Sequence, residues 1–319
     1  MVEKRPIGDS GIEVAPLALG GNVFDWTADE KTSFVVLDAF VDAGGTMIDT
    51  ADVYSAWVPG HKGGESEATI GRWLRRNRAK RDKVVIATKV GFMAGLRPET
   101  IAPSCDASLE RLGVDAIDLY YQHKDDESVP LEQSLGEFDR LREAGKIRAI
   151  GISNFSADRV DEAVDTARRF GLMPPVALQP WYNMVERERF EIDLRDAAIR
   201  NGLGVFPYYS LANGFLTGKY RNMVDLDKSP RGLRNIAYLE GKGMRVLEAL
   251  DEVAGETGAA LATIALAWLM AQPAVTAPIA SATSLDQLTQ LTAAMDMTLT
   301  IDQIARLDAA SAETEPAAV

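Results

Sequence analysis

The sequence predicts a (β/α)8 barrel formed by one large domain over residues 1–319. Eight short apolar segments typical of buried strands alternate with amphipathic segments typical of helices. No Pro- or Ser-rich linker divides the chain, and a polar or aromatic side chain follows nearly every apolar segment. A doubly wound sheet is the alternative architecture, but the count of eight strands favours the barrel.

The predicted elements follow one another in the order that a barrel requires. The apolar segments fall at residues 16–21, 47–50, 84–89, 116–123, 147–153, 176–179, 204–208 and 275–279. The longer helical segments fall at residues 27–43, 66–77, 98–112, 130–144, 156–170, 187–200, 243–256 and 259–271. Capping boxes predict helix starts at Thr27, Ser284 and Thr300, because a Glu or Gln follows each of them three residues later.

Three further segments complete the predicted architecture. Residues 5–15 carry Gly-Asp-Ser-Gly between two extended stretches, which predicts a β-hairpin plugging the bottom of the barrel. Residues 211–239 are rich in glycine and charge, and they predict an insertion after strand seven. Residues 309–319 are expected to form a loosely held, flexible tail.

The composition argues against nucleic acids and membranes as partners, and we expect a small-molecule substrate. A formal net charge of −13 argues against a broad interaction with nucleic acid or anionic lipid, since both need a basic face. No apolar run predicts a membrane span or a secretory signal, and the single cysteine, Cys105, agrees with a reducing compartment, so we expect a cytoplasmic protein. Two histidines and one cysteine predict no metal site, and the sequence leaves the oligomeric state open.

Polar and aromatic residues mark the predicted carboxyl ends of the strands, where the loops of a barrel gather. These residues are Asp49, Lys89, His123, Ser153, Asn154, Gln179, Tyr208 and Ser281. Each has an ordinary structural explanation when it is taken alone, such as a loop cap or a surface lysine. Their occurrence together, one for nearly every strand, favours a functional site.

Four of the residues in these loops suit proton transfer to a carbonyl oxygen. Tyr54 is a poor acid near neutral pH, but an ammonium such as that of Lys89 stabilises the phenolate and lowers its pKa. Asp49 would hold Lys89 by an ion pair, and His123 would orient the carbonyl group. Since no amino-acid side chain stores a hydride, such a reaction requires a cofactor.

At these positions the sequence resembles the aldo-keto reductase superfamily. The resemblance extends from Leu17 to Leu288. Within the superfamily, the sequence is most similar to bacterial members related to the branch that includes potassium-channel β-subunits. It rests on Ile-Asp-Thr-Ala-Asp-Val-Tyr at 48–54, Ala-Thr-Lys-Val-Gly at 87–91, Asp-Leu-Tyr-Tyr-Gln-His at 118–123, Gly-Ile-Ser-Asn-Phe at 151–155, Gln179 with Tyr182 and Asn183, and Gly-Phe-Leu-Thr-Gly-Lys-Tyr at 214–220.

The resemblance implies a catalytic tetrad and an extended nicotinamide cofactor held without a Gly-x-Gly-x-x-Gly loop. Tyr54 would be the general acid, Lys89 and Asp49 would tune it, and His123 would position the carbonyl group. For the cofactor, the resemblance implies Ser153, Asn154 and Gln179 at the carboxamide, Tyr208 stacked on the nicotinamide, Tyr209, Ser210, Leu211, Lys219 and Arg231 at the pyrophosphate, and further contacts from Gly21, Asn22, Ser281, Thr283 and Gln287.

The chain departs from the family pattern after strand eight. Ser281-Ala-Thr283 stands where many relatives carry Gly-Ala-Arg or Gly-Ala-Ser, and Gln290-Leu291 replaces the usual Glu-Asn pair that contacts adenine. Thr283 and Gln287 would still bind a 2′-phosphate at a helix N-terminus, so NADPH is favoured over NADH.

The substrate mouth is expected to be open, because the loop after Lys89, from Val90 to Leu96, is short. The aromatic candidates to line it are Phe24, Trp26, Trp57 and Trp181, each of which also suits ordinary packing.

The sequence thus predicts an NAD(P)H-dependent oxidoreductase that reversibly reduces an aldehyde or ketone. The alternative in another class is a cofactor-binding regulatory or sensor subunit with little turnover. A third reading is an unrelated barrel lyase or isomerase in which Lys89 forms a Schiff base.

Overall fold

In the computed structural model, which describes residues 2–313, a two-stranded hairpin precedes eight parallel strands that are surrounded by helices. The strands are β1 (Arg5–Pro6), β2 (Glu13–Val14), β3 (Ala18–Gly20), β4 (Met47–Asp49), β5 (Val85–Val90), β6 (Ile117–Gln122), β7 (Ile147–Ser153), β8 (Ala177–Gln179), β9 (Gly204–Val205) and β10 (Ile279–Ala280). The order β10-β3-β4-β5-β6-β7-β8-β9 is that of a barrel, which confirms the predicted fold class.

The helices lie outside the barrel and mostly fall where the periodicity predicts them. They are α1 (Glu30–Asp42), α2 (Glu65–Arg76), α3 (Pro98–Leu112), α4 (Leu131–Glu143), α5 (Ala157–Phe170), α6 (Glu188–Glu191), α7 (Leu194–Arg200), α8 (Lys242–Thr257), α9 (Leu261–Met270), α10 (Leu285–Thr292) and α11 (Ile301–Ser311). Short 3-10 helices at Arg78–Lys83, Ala212–Thr217, Met223–Lys228, Gly232–Tyr238 and Ala293–Met295 fill the connections.

The barrel closes between β9 and the segment that leads into β10. Val205 accepts hydrogen bonds from the backbone N–H of Thr276 and Ala277, and Pro207 accepts one from Ile279. The eighth strand was predicted at residues 275–279, but the paired strand is only Ile279–Ala280. Pro278 explains the shift, because it has no N–H to donate and the regular pairing with β3 begins after it.

The hairpin β1–β2 covers the amino-terminal end of the barrel, as predicted. Ile7 and Val14 are fully buried in the apolar cluster that fills this end of the barrel interior. The backbone N–H of Ala15 donates to the hydroxyl of Thr46, which directly precedes β4. The bottom of the barrel is therefore closed, and the opposite end is left for the βα loops.

Several predicted boundaries are wrong in detail. Asp29, not Thr27, caps α1 by accepting a hydrogen bond from the backbone N–H of Thr32 at 2.8 Å. The helix predicted at 187–200 is two helices, α6 and α7, because the backbone leaves the helical region at Asp193.

The predicted tail from residue 309 also needs correction. Residues 309–311 belong to α11, whose last residue, Ser311, is fully buried and accepts a hydrogen bond from Arg187. Residues 314–319 lie outside the described residues.

The segment between β9 and α8 is the predicted insertion, built from three of the 3-10 helices. Its second 3-10 helix carries a capping box between Asn222 and Asp225.

Within residues 2–313, no single helix is long and apolar enough to cross a membrane. The pair α8 and α9 passes that test only jointly, and the two helices are bent by 99° at their junction.

Candidate active site

Two charged residues from neighbouring strands form a buried ion pair at the carboxyl end of the barrel. Asp49 is the last residue of β4, and it pairs with Ala87 on β5. Lys89 lies two residues after Ala87 and is the penultimate residue of β5. Lys89 is 0% exposed, and its Nζ lies 2.7 Å from Oδ2 of Asp49. The ammonium therefore has its counter-ion inside the barrel, as the sequence suggests.

Lys89 uses its remaining donors on the loop that follows β4. Its Nζ donates to the carbonyl oxygen of Thr50 at 2.7 Å and to the phenol oxygen of Tyr54 at 3.3 Å. The other carboxylate oxygen of Asp49 accepts a hydrogen bond of 2.9 Å from the side-chain amide of Gln179, across the barrel at the end of β8. These bonds fix the positions of Asp49, Lys89 and Tyr54 relative to one another.

The phenol of Tyr54 keeps its proton in this arrangement. Burial raises its pKa, and this effect outweighs the lowering by the neighbouring Lys89 ammonium. The prediction that Lys89 brings the pKa of Tyr54 down is therefore wrong for the net shift, although the direction of the Lys89 contribution is correct. A protonated phenol beside a fixed cation is a proton donor whose conjugate base is stabilised by that cation.

Lys89 itself is a stable cation. Burial acts to lower its pKa, but Asp49 and Tyr54 together outweigh burial, so that the pKa is raised. A Schiff-base lysine needs an accessible neutral amine. The full burial and raised pKa of Lys89 thus argue against the hypothesis of a lyase or isomerase in which Lys89 forms a Schiff base.

His123 follows β6 directly and faces the same space. Its ring centre lies 6.1 Å from that of Tyr54. Burial, reinforced by the charge of Lys89, lowers the pKa of His123 well below its usual value, so the imidazole is neutral. Its Nδ1 is buried and makes no hydrogen bond in the described part of the chain.

Three of the predicted cofactor residues form a connected polar group beside His123. Asn154 donates through Nδ2 to the backbone oxygen of His123 at 2.8 Å and to the hydroxyl of Ser153 at 3.1 Å, and its Oδ1 accepts from the phenol of Tyr208 at 2.8 Å. Asn154 has a φ of 57°, in the left-handed region that asparagine tolerates better than most residues. The hydroxyl of Ser153 donates to the backbone oxygen of Gln179 at 2.8 Å, which connects this group to the Asp49 side.

The segment after Tyr208 has a strained backbone. Tyr209, Ala212 and Asn213 all have positive φ values, of 54°, 47° and 55°. Side-chain bonds hold the segment: Asn183 donates to the backbone oxygen of Tyr209 at 3.0 Å, and Ser210 donates to that of Pro207 at 2.9 Å. The turn continues through Leu211, whose carbonyl accepts the backbone N–H of Gly214.

Two cations that follow this segment have no carboxylate partner among the described residues. The Nζ of Lys219 lies 5.0 Å from the ring centre of Tyr220. The guanidinium of Arg231 lies 4.9 Å from the ring centre of Trp26, and burial lowers its pKa. Even a partly buried guanidinium without a carboxylate is unfavourable unless an anion approaches it.

The loop after β3 contacts the loop after β10. The hydroxyl of Ser281 donates to Oδ1 of Asn22 at 2.9 Å. Gly21 packs so closely that a Cβ atom would lie 2.8 Å from the hydroxyl of Ser66 and 3.1 Å from the backbone oxygen of Asp49. Gly21 therefore brings the backbone of the first loop against the site.

Thr283 and Gln287 are joined to each other at the start of α10. Oε1 of Gln287 accepts from the backbone N–H of Thr283 at 2.9 Å and from its hydroxyl at 3.2 Å. Ser284 caps the helix, but Gln287 bonds Thr283 and not Ser284, so the predicted capping box is only half formed. Leu291 is a core residue.

The predicted aromatic lining divides in the structure. Phe24 is fully buried, and Trp181 packs against Tyr208 and Tyr209. Only Trp26 and Trp57 lie on the Tyr54 side, where Trp57 contacts the ring of Tyr54 at 5.7 Å.

Sequence reasoning missed Phe92, which contacts the ring of His123 at 4.9 Å. Phe92 lies three residues after Lys89, in a short loop that follows a strand end of the site, and this position could have identified it.

The barrel thus carries a connected Asp49–Lys89–Tyr54 group at the carboxyl ends of its strands, and comparison with known sequences gives the family. The sequence profile described as "Aldo/keto reductase family" matches residues 16–312. The protein therefore belongs to the aldo/keto reductase family, as its motifs suggest.

Three relatives illustrate the range within the family. The chain is 34% identical to the uncharacterized oxidoreductase YrpG of Bacillus subtilis, over 93% of this chain and 92% of the relative. It is 31% identical to the L-glyceraldehyde 3-phosphate reductase of Escherichia coli K12, over 98% and 94%. It is 30% identical to a probable voltage-gated potassium channel subunit beta of Arabidopsis thaliana, over 93% and 92%.

Proposed function

We propose that the protein reduces an aldehyde or ketone to the alcohol with a nicotinamide cofactor, and that the reaction is reversible. The observation that carries this proposal is the phenol oxygen of Tyr54, which lies 3.3 Å from Nζ of the buried Lys89. Burial raises the pKa of Tyr54, which agrees with a phenol that keeps its proton. The family membership supports oxidoreductase chemistry in general. The particular roles given below rest on geometry.

Tyr54 donates the proton to the carbonyl oxygen. As the proton leaves, the phenolate gains the attraction of Lys89, which costs no reorganisation because Asp49 and Thr50 already hold the ammonium. The same group works in the other direction, where the phenolate accepts a proton from an alcohol.

His123 orients the carbonyl group as a neutral hydrogen-bond donor. With the proton on Nε2, the imidazole donates to the same oxygen that Tyr54 protonates. Its lowered pKa keeps it neutral at physiological pH, so it does not compete with Tyr54 as an acid.

The bound nicotinamide would supply the hydride. Ser153, Asn154 and Gln179 would hold its carboxamide, and the ring of Tyr208, fixed by its bond to Asn154, would stack on the nicotinamide. The cations of Lys219 and Arg231, which lack carboxylate partners in residues 2–313, suit the negative charge of a pyrophosphate. The fixed backbone at Tyr209, Ser210 and Leu211 would contact the pyrophosphate as well. Gly21, Asn22 and Ser281 would make further contacts with the cofactor.

We favour NADPH over NADH. Thr283 and Gln287 lie at the amino-terminal end of α10, where hydroxyl and amide donors together with the helix dipole attract a 2′-phosphate. We also propose a cytoplasmic location, which agrees with the single cysteine, Cys105, being buried and unpaired.

The direct test is consumption of NADPH and NADH across a panel of sugars, small aldehydes and cyclic ketones. A second candidate is a cofactor-binding regulatory or sensor subunit with little turnover, and the similarity to a probable voltage-gated potassium channel subunit beta favours a subunit role. Single-turnover and steady-state rates separate the two. An enzyme oxidises NADPH through many turnovers with at least one carbonyl compound. A sensor subunit oxidises its bound NADPH at most once and then stops. The absence of any turnover with the whole panel would contradict the reductase.

A further inference from the structure

Two large aromatic side chains stand half exposed beside Tyr54 and His123. Trp57, in the loop after β4, is 47% exposed, and Phe92, in the loop after β5, is 51% exposed. Water contact with apolar faces of this size is unfavourable, and exposed apolar surface beside a reaction centre indicates contact with a ligand.

Each of these rings contacts a different member of the proton-transfer pair. The ring of Phe92 lies 4.9 Å from that of His123, with a 49° angle between the planes. The ring of Trp57 lies 5.7 Å from that of Tyr54, with a 64° angle. A carbonyl oxygen held by Tyr54 and His123 therefore brings its substituent next to both aromatic side chains.

The Trp57 side of this arrangement is supported from behind. Trp26 meets Trp57 edge to face at 5.5 Å, and the guanidinium of Arg231 lies 4.9 Å from the ring centre of Trp26. Trp57 is thus packed against Trp26 and Tyr54 although about half of its surface is exposed.

From these contacts we infer that the preferred substrates are aldehydes that carry a planar aromatic ring, packed between Phe92 and Trp57. This inference rests on the proposed carbonyl reduction. An aliphatic ring of the same size buries a similar area, but only an aromatic ring gains the edge-to-face and offset-stacked interactions with both side chains.

The test compares phenylacetaldehyde with cyclohexylacetaldehyde. In both, one CH2 group separates the ring from the carbonyl group, so neither ring is conjugated with it. The remaining inductive difference is the same for every variant and cancels when the ratios are compared. The measured quantity is the ratio of kcat/KM for the phenyl over the cyclohexyl compound. We expect a ratio of at least about 5 in the unmodified protein.

Four variants assign the preference to its residues. Phe92→Leu and Trp57→Leu, which keep an apolar side chain, each lower the ratio towards one, while Phe92→Tyr retains it. Met93→Leu is the matched control, because Met93 is adjacent to Phe92 and 79% exposed. This variant should leave the ratio unchanged.

The possible failures are distinguishable. Turnover of both aldehydes with a ratio near one, or a high ratio that both leucine variants retain, would overturn the aromatic preference and leave the reductase intact. Reduction of neither aldehyde, together with no turnover of any carbonyl compound in the panel above, would overturn the reductase and this inference with it.

Discussion

The side chains of Asp49 and Lys89 form an ion pair of 2.7 Å inside the barrel, and the same ammonium lies 3.3 Å from the phenol oxygen of Tyr54. Water is excluded from this pair, so the charge of each partner depends on the other. In the proposed reaction Asp49 would therefore act through Lys89, and this relationship leads to the first prediction.

Asp49→Asn should lower kcat by about 100-fold, at the low end of what a proton-transfer group contributes. The asparagine removes the charge that raises the pKa of Lys89, and so weakens the stabilisation of the Tyr54 phenolate. The dissociation constant for NADPH, measured by quenching of protein fluorescence, should change little. Loss of NADPH binding in this variant would contradict the role given to Asp49.

Asp118→Asn is the matched control for that variant. Asp118 is also buried, and it pairs with Arg81 at 2.9 Å and Arg148 at 3.0 Å. Because it lies near the amino-terminal end of β6, its loss should lower the free energy of unfolding without changing kcat per folded molecule. A fall in kcat as large as that of Asp49→Asn would show that any buried acid has this effect.

The neutral His123 predicts a loss of stability in acid. The unfolded chain binds a proton at this residue below about pH 6.5, whereas the folded chain, with a lowered pKa, does not. Stability is therefore complete above that pH and declines as the pH falls towards the pKa of the folded state. Between pH 7.5 and 5.5, His123 should account for a loss on the order of 1 kcal/mol.

Urea unfolding of the protein and of His123→Gln at the two pH values measures this contribution. Glutamine does not titrate, so the variant should lose less stability between pH 7.5 and 5.5, by that amount. An identical pH dependence in both proteins would mean that His123 takes up its proton in the folded state.

The cofactor contacts predict two different patterns of weakened binding. Lys219→Met should weaken NADPH and NADH equally, by roughly 10-fold, because the pyrophosphate is common to both. Thr283→Ala with Gln287→Ala should weaken only NADPH, because only NADPH carries the 2′-phosphate. Dissociation constants from titration calorimetry separate the patterns, and equal weakening of both cofactors by the Thr283 and Gln287 change would remove the basis for NADPH preference.

The strand-end pattern located the buried part of the site because its residues follow directly from strand geometry. Asp49 and Lys89 end apolar segments, and parallel strands bring such ends to one face of a barrel. The sequence did not determine the length of each strand, because pairing depends on partners that are remote in sequence. The eighth strand illustrates this, since Pro278 moves its paired residues to Ile279 and Ala280.

The electrostatic state of the site was the less predictable part. An ammonium from Lys89 beside Tyr54 predicts a lowered phenol pKa, but the net shift of that pKa is upwards because burial dominates. Burial depends on side chains brought together by the fold, which a local motif does not describe. Phe92 was missed for the same reason, since its contact with His123 joins two different loops.

The most direct test of the central claim is the steady-state rate of carbonyl reduction by Tyr54→Phe, measured together with its dissociation constant for NADPH. The phenol oxygen has one hydrogen bond within residues 2–313, to Lys89, so the variant should fold normally and bind the cofactor within about 2-fold of the unmodified protein. Its kcat should fall by about 10³-fold, because no other group replaces the proton donor. A variant that reduces carbonyl compounds at the unmodified rate would contradict the assignment of Tyr54 as the acid.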